Sequence, residues 1–397
     1  MNWRDRIINT IKGKAVDFLP FVPRLDIWYQ SNKLKGTLPE RYKDSTLKEI
    51  VKDLDVGFYT VIPNFRDFRC EKSIGLLGIG IYDLRYNPYK VNINNLDYKF
   101  KTNKDGITTT NFCTPFGIIT TKTLYNDKMR MDGLSLGHTI EHAIKSIDDL
   151  RAIGYIFENI EIEENYNSFS NFKRSIGDEG ISVSFSMLSG SPMHHIMKEL
   201  VPFEKFVYML SDNPKELESL AEKVEILFEK IILVSACSEA DAVFLGANYD
   251  AFLTWPTFFK KYITPYLKKC ANIAHRTGKF FITHADGENE GLTSEYLNSD
   301  IDIADSICPY PMTKLTIKDY RRVFEDKITI WGGLPSICVL ENSMNDYEFD
   351  KFLEEFFSDI GERDHLILNI ADTIPPGAKF ERIEKIAKLA KSFNVSC

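Results

Sequence analysis

The sequence predicts an α/β protein, a TIM-type (β/α)8 barrel with a long β-rich insertion between strands 2 and 3. Three observations predict it. Eight short β-branched or aromatic runs recur along the chain, nearly all separated by amphipathic helical stretches. Between the second and third runs, over about residues 64–180, that alternation stops and antiparallel patterning replaces it. The length of 397 residues suits one such barrel carrying insertions. One domain over 1–397 is expected, with 64–180 as an insertion or lid.

The elements follow in order. Trp3 to Lys12 has helical spacing, with Ile7, Ile8 and Ile11 on one face. The first run is Phe18 to Asp26. A helix around Thr46 to Leu54 precedes the second run, Phe58 to Pro63. In the insertion, Tyr89 to Asn94, Tyr98 to Asn103, Gly106 to Phe112 and Gly117 to Tyr125 read as antiparallel strands between Asn, Asp and Gly turns. Ser146 to Ile153 and Asn167 to Ile176 read as short helices. Ile181 to Met187 is the third run, followed by helices at Glu204 to Leu210 and Pro214 to Ala236. Pro214 suits a first helical turn, with Asp212 or Asn213 as cap. Ala242 to Ala247 is the fourth run, with a helix at Pro256 to Thr277 after it. Phe280 to His284, Ile301 to Cys308, Ile328 to Trp331 and Leu366 to Ile370 complete the eight. Helices are expected at Thr316 to Glu325, Asp346 to Asp359 and Phe380 to Phe393.

The composition is that of an ordinary globular chain, 44% hydrophobic and 27% charged. No apolar run is long enough to cross a membrane, and residues 1–14 lack the apolar core of a signal peptide. A net charge of -8 argues against a nucleic-acid or anionic-membrane surface. The 7 cysteines are odd in number and far apart, with no CxxC, so a reducing cytoplasm is expected.

A barrel of this kind carries its active site at the C-terminal strand ends. The polar residues there are Arg24 and Asp26, Asn64, Ser186, Asn248, His284, Asp286 and Glu288, Cys308, and Asp372. After the third run come Ser189, Ser191, His194 and His195; the last two are adjacent, so one at most is expected to face a cavity. His284 and Asp286 are two apart on an extended segment and point the same way. His284, Asp286, Cys308 and Asp372 are competent zinc ligands, and three of them with an open position describe a catalytic zinc site. His284, Asp286, Asp372, Glu288 and His195 are the catalytic candidates. Arg24, Asp26, Trp28, Asn64, Asn248, Tyr249 and Trp331 are candidates for holding substrate. The competing reading makes such aspartates helix caps, Cys308 a small buried hydrophobe and the aromatics core.

Several segments together carry a resemblance. WRDRIINTIKGKAVDFLPFVPR, PTFFKKYITPYL, FFITHADGE, KITIWGGLP and NIADTIPPGAKFERI stand in the order and spacing of the uroporphyrinogen decarboxylase superfamily. The chain resembles its cobalamin-dependent methyltransferase branch, and the likeness is weakest over 64–180. The resemblance implies a (β/α)8 barrel, agreeing with the strand count. In the thiol-methylating members zinc is held by one His and two Cys. Here His284 matches the His, while Asp286 and Asp372 stand where the cysteines would be. Carboxylates in place of thiolates weaken the case for a thiol acceptor; the His/Asp/Asp set would hold zinc as a Lewis acid, or no metal at all. Arg24 falls near an arginine of the porphyrinogen decarboxylase's substrate loop, but the R-Q-A-G-R run of that enzyme is absent.

The chain has no D-x-H-x-x-G corrinoid motif, so methylcobalamin would arrive on a separate corrinoid-binding protein. The function expected from the resemblance is methyl transfer between a small methylated substrate and that corrinoid. The alternatives are a decarboxylase or lyase acting on a carboxylated small molecule, and a barrel that only scaffolds a partner. The family contains monomers and dimers, so a homodimer stays open.

Overall fold

The computed structural model describes residues 1–246 and 248–393. Ala247, the end of the fourth predicted run, and Cys397 lie outside the described residues. The chain is α/β. Its strands are β1 (Tyr89–Ile93), β2 (Asp97–Thr102), β3 (Ile107–Thr114), β4 (Gly117–Leu124), β5 (His138–Glu141), β6 (Ile160–Glu164), β7 (Val183–Phe185), β8 (Ala242–Phe244), β9 (Phe280–His284), β10 (Ile303–Ile307), β11 (Thr329–Pro335) and β12 (Leu366–Ala371).

Strands β7 to β12 form a parallel 6-stranded sheet in sequence order, from the third to the eighth predicted run. The first two runs make no regular strand. The first contributes a single parallel bridge, Phe21 to Leu368. Pro20, Pro23 and Pro63 lack the N–H that a ladder needs. The hydrogen bonds continue nevertheless. Val22 N donates to Leu368 O and Leu368 N to Pro20 O, both at 2.8 Å. Gly57 N donates to Phe21 O at 3.0 Å, and Phe58 N to Glu179 O at 2.8 Å. The Thr60 hydroxyl donates to Ile181 O, two residues before β7.

Side chains alternate across this sheet with period two. Ala242, Phe244, Ile282, Ile303, Trp331 and Ile367 gather in one buried cluster. Val243, Phe281, Ala304, Ile330 and Leu368 join a second one, with helix residues such as Leu227 and Ile231 of Pro214–Cys237.

Between the second and third runs, β2 to β5 make an antiparallel 4-stranded sheet and β1 pairs with β6. Gly106 turns the chain from β2 into β3 at φ 81, a conformation that glycine adopts freely. β5 and β6 were not predicted, being short and half exposed. The structure also adds a helix at Asp26–Lys35, which begins on the residue that ends the first predicted run. The predicted helix at 146–153 lies instead at Asp149–Glu158. Among the described residues no helix is long and apolar enough to cross a membrane.

Candidate active site

His284 ends β9, on the same side of the strand as Ile282. Its register partner on β10 is Asp305. His284 Nδ1 lies 2.7 Å from Asp305 Oδ2. The Tyr59 hydroxyl donates to both oxygens of Asp305, at 3.2 and 3.1 Å. Burial, with Asp305 beside it, raises the Tyr59 pKa well above the usual phenol range, which keeps the phenol a donor. Asp305 is wholly buried.

The other ring nitrogen, Nε2, lies 3.3 Å from Asp372 Oδ1, just past the end of β12. With Nδ1 donating to Asp305, a neutral imidazole would turn its Nε2 lone pair on a carboxylate. That approach is favourable only with a cation between or on them, a proton or a metal. Burial lowers the His284 pKa, but Asp372 and Asp305 outweigh it and the net shift is upward. Burial raises the Asp372 pKa, but Arg24 and His284 outweigh it and the net shift is downward. Without metal, both shifts favour an imidazolium beside a carboxylate.

Arg24 is buried and joins two aspartates, with Nε 3.1 Å from Asp26 Oδ1 and Nη1 3.0 Å from Asp372 Oδ1. Its backbone N–H donates to Asn369 Oδ1 at 3.0 Å. Burial alone would lower its pKa; Asp26 and Asp372 raise it instead. Ser306 Oγ donates to Asp372 Oδ1 at 3.2 Å. Ser306 adopts φ 61, and the β10–β11 register shifts around it. This bulge turns a serine hydroxyl toward Asp372, in a backbone conformation that costs a non-glycine residue energy.

Asp286 accepts from Asn248 Nδ2 at 3.4 Å. Burial pushes its carboxyl up to about 6. One atom each of His284, Asp286 and Asp372 lie within 4.8 Å of one another. With a nitrogen, two carboxylates and Asp305 behind the imidazole, the set fits a divalent cation such as zinc.

Arg24, Asn248, His284 and Asp372 form the polar end of a cavity of about 790 Å³. The rest is mostly apolar, including Leu134 and Leu136 from the 64–180 region and Met197 and Val201 after β7. His142 and His194 also line it, and burial holds both below the usual histidine range. The ammonium of Lys198, at the same wall, donates to Leu188 O at 2.8 Å.

A family model for uroporphyrinogen decarboxylase (URO-D) matches residues 129–393. The chain belongs to the uroporphyrinogen decarboxylase family. Among solved structures, a methyltransferase from Methanosarcina mazei is similar, with TM-score 0.57 and 12% identity over 99% of both chains. That is a likeness of fold. No curated protein matches the sequence.

In this URO-D chain the structure brings together Arg24, Asp26, Asn248, His284, Asp286 and Asp372. The other residues singled out in the sequence sit elsewhere. His195 is packed between Phe157 and Phe228. Its Nε2 faces Ile79 O at 3.0 Å and its Nδ1 faces Ser189 Oγ at 3.3 Å. Burial pushes its pKa down to about 3, so it stays a neutral strut. Gly80, at φ 70, makes room for it, since a Cβ there would come within 2.5 Å of the imidazole. Of the adjacent pair, His194 is the one facing the cavity.

Glu288 accepts from the backbone N–H groups of Glu290 and Lys314, and shapes its loop. The Tyr249 hydroxyl shares a hydrogen bond with Thr283 Oγ1 at 2.9 Å, in the core. Trp331 fills the sheet's cluster and donates to Val22 O at 3.3 Å. Trp28 stacks on Phe380 at 5.1 Å. Asn64 caps the short helix Phe65–Phe68. Cys308 is buried outside the three-residue group, and burial, with Asp286 and Asp372 nearby, pushes its thiol up to about 12. Sequence reasoning missed Asp305, Ser306 and Tyr59. The available signal was Asp305-Ser306, two polar residues inside the buried strand Ile303–Ile307.

Proposed function

We propose that this URO-D chain is a methyltransferase, moving a methyl group between a small methylated substrate and the corrinoid of a separate protein. The observation that carries the reading is His284, held between Asp305 and Asp372 at the floor of a mostly apolar cavity. Around it the parallel sheet and the bonds through residues 20–22 and 57–60 support one (β/α)8 barrel over 1–397, with 64–180 as the insertion. The setting is the cytoplasm, consistent with free cysteines among the described residues.

In this reading the chain's own groups position and protonate. Asp305 and Tyr59 fix the imidazole. Arg24 and Ser306 fix Asp372. His284 holds a proton at Nε2 and delivers it to the heteroatom from which the methyl group departs; the breaking carbon–heteroatom bond leaves its electron pair there. The apolar wall keeps water from competing. The corrinoid supplies the nucleophile that accepts the methyl group. Zinc held by His284, Asp286 and Asp372 would supply Lewis acidity to the same heteroatom in place of that proton.

A decarboxylase would need a cation free to grip carboxylates. Arg24 is engaged by Asp26 and Asp372, and Lys198 by Leu188 O, which favours methyl transfer. The test is the spectrum of reduced cobalamin mixed with the protein and methoxylated or methylamine donors. Methylcobalamin should form with wild type and fail with His284→Ala. No conversion with any donor, together with decarboxylation of a carboxylated substrate, would overturn the reading.

A further inference from the structure

A second cavity, of about 340 Å³, lies beside the first and shares only Ile62 with it among its lining residues. It sits at the ends of the first two runs, under the helix Leu47–Leu54. Its volume is that of a small organic ligand. We propose that it binds a small organic monocation, an ammonium group carried on an apolar or aromatic body.

The cavity complements such a ligand in charge and in shape. Six aromatic side chains line the wall: Tyr29, Phe58, Tyr59, Phe68, Tyr86 and Phe172. Tyr86 and Phe172 stack at 4.0 Å with planes 14° apart, and Phe68 meets Tyr86 edge-on at 4.9 Å. Such faces attract cations. Two carboxylates line the same space, Asp26 and Asp67. Asp67 Oδ2 accepts from the neutral amide of Gln30 at 2.7 Å, and its cationic neighbour, Arg69, stands outside the lining. Asp26 gives Oδ1 to Arg24, while its Oδ2 is buried without a hydrogen-bond donor. Its side chain keeps 17% exposure, although that oxygen itself has almost none. Among the described lining residues Lys48 is the sole cation, and its ammonium donates to the carbonyls of Ser175 and Ile176. The cavity thus offers negative charge and π faces with no uncommitted cation. An anion would meet two carboxylates and a lysine already engaged; an ammonium group would meet the field of the carboxylates and the ring faces.

The proposal does not rest on methyl transfer, and its test reads binding alone. Calorimetric titration of the full chain would compare benzylammonium chloride, benzyl alcohol and sodium benzoate. Benzylammonium should bind once per chain, benzyl alcohol more weakly and benzoate not at all. Asp26→Asn should weaken benzylammonium by roughly tenfold, since it removes one of the two negative charges of the wall. Phe172→Ala, remote from Arg24, should weaken it several-fold and decides the matter if Asp26→Asn fails to fold. His284→Ala should leave the affinity unchanged. Benzoate binding as tightly as benzylammonium, no binding of benzylammonium, or binding that survives both wall variants and vanishes in His284→Ala would each overturn the proposal.

Discussion

His284 Nδ1 and Asp305 Oδ2 lie 2.7 Å apart, and the two residues are Cα partners on adjacent parallel strands. The hydrogen bond therefore repeats in side chains what the sheet register sets in backbone. It fixes which ring nitrogen carries the outward-facing lone pair or proton. Every reading of the site, metal-bound or not, depends on that orientation.

Asp305→Asn keeps the size of the side chain but removes the anionic partner of the imidazole. Outer partners of this kind are worth about 10–100-fold in activity or metal affinity. We expect a loss in that range in methyl transfer with KM little changed. Asp305→Ala should in addition lower stability by about 1–3 kcal/mol, because the Tyr59 hydroxyl and the imidazole N–H lose their acceptor in a buried place. Urea denaturation beside steady-state kinetics separates the two effects.

Asp286 gives a pH signature. Its folded pKa is raised from 3.8 to about 6 by burial, so between those values the native state binds more protons than the unfolded chain. Stability contributed by this group falls as pH rises through that window. Asp286→Asn removes the term. The variant should gain on wild type in thermal midpoint from about pH 4 to above pH 6, then run parallel to it. Equal differences at every pH would refute the assignment.

Asp372 and His284 bracket that window with opposite signs. Asp372, lowered, contributes stability present above its unfolded pKa of 3.8 and lost as pH falls through its folded value. His284, raised, contributes stability present below its unfolded pKa of 6.5 and lost as pH rises through its folded value. Asp372→Asn should therefore make the loss of stability above pH 6.5 shallower, since the His284 pKa falls back when the foremost of its raising charges is removed. Thermal melts from pH 4 to 9 on both proteins read this directly.

Metal content is a separate measurement. Purified protein incubated with zinc and desalted should retain it near one per chain, and His284→Ala and Asp372→Ala should not. Retention should also raise the thermal midpoint, because the ion binds the folded arrangement of three ligands. Metal held equally by wild type and both variants would assign it elsewhere.

His195 is the contrast case. Its two ring nitrogens serve Ser189 and Ile79, away from the cavity. His195→Ala should cost about 1–3 kcal/mol of stability while leaving the pH profile of the reaction unchanged. His194→Ala, at the cavity wall, should instead change KM.

Much of this was legible in the chain. The runs from Ile181 onward became β7 to β12, because apolar β-branched segments between long amphipathic helices have few other uses. His284 and Asp286 could be paired from sequence, since two residues apart on an extended segment means one side. Asp305 was not legible. An aspartate inside a buried strand reads as an anomaly until its histidine partner is seen across the ladder. The aromatics Trp28, Tyr249 and Trp331 were equally ambiguous, because a ring at a strand end can face a cavity or fill the core.

The sequence by itself determined the alternation of strand and helix, the break over 64–180 and the acid and base groups at the strand ends. These are local properties of spacing and composition. The tertiary structure decided which of those groups meet. Arg24 and Asp372 are 348 residues apart in the chain and 3.0 Å apart in space. It also decided that His194 faces the cavity and His195 the core, and that a bulge at Ser306 aims a hydroxyl at Asp372. Such meetings depend on strand order and register, which arise from packing the whole sheet at once and leave no local mark in the residues that take part.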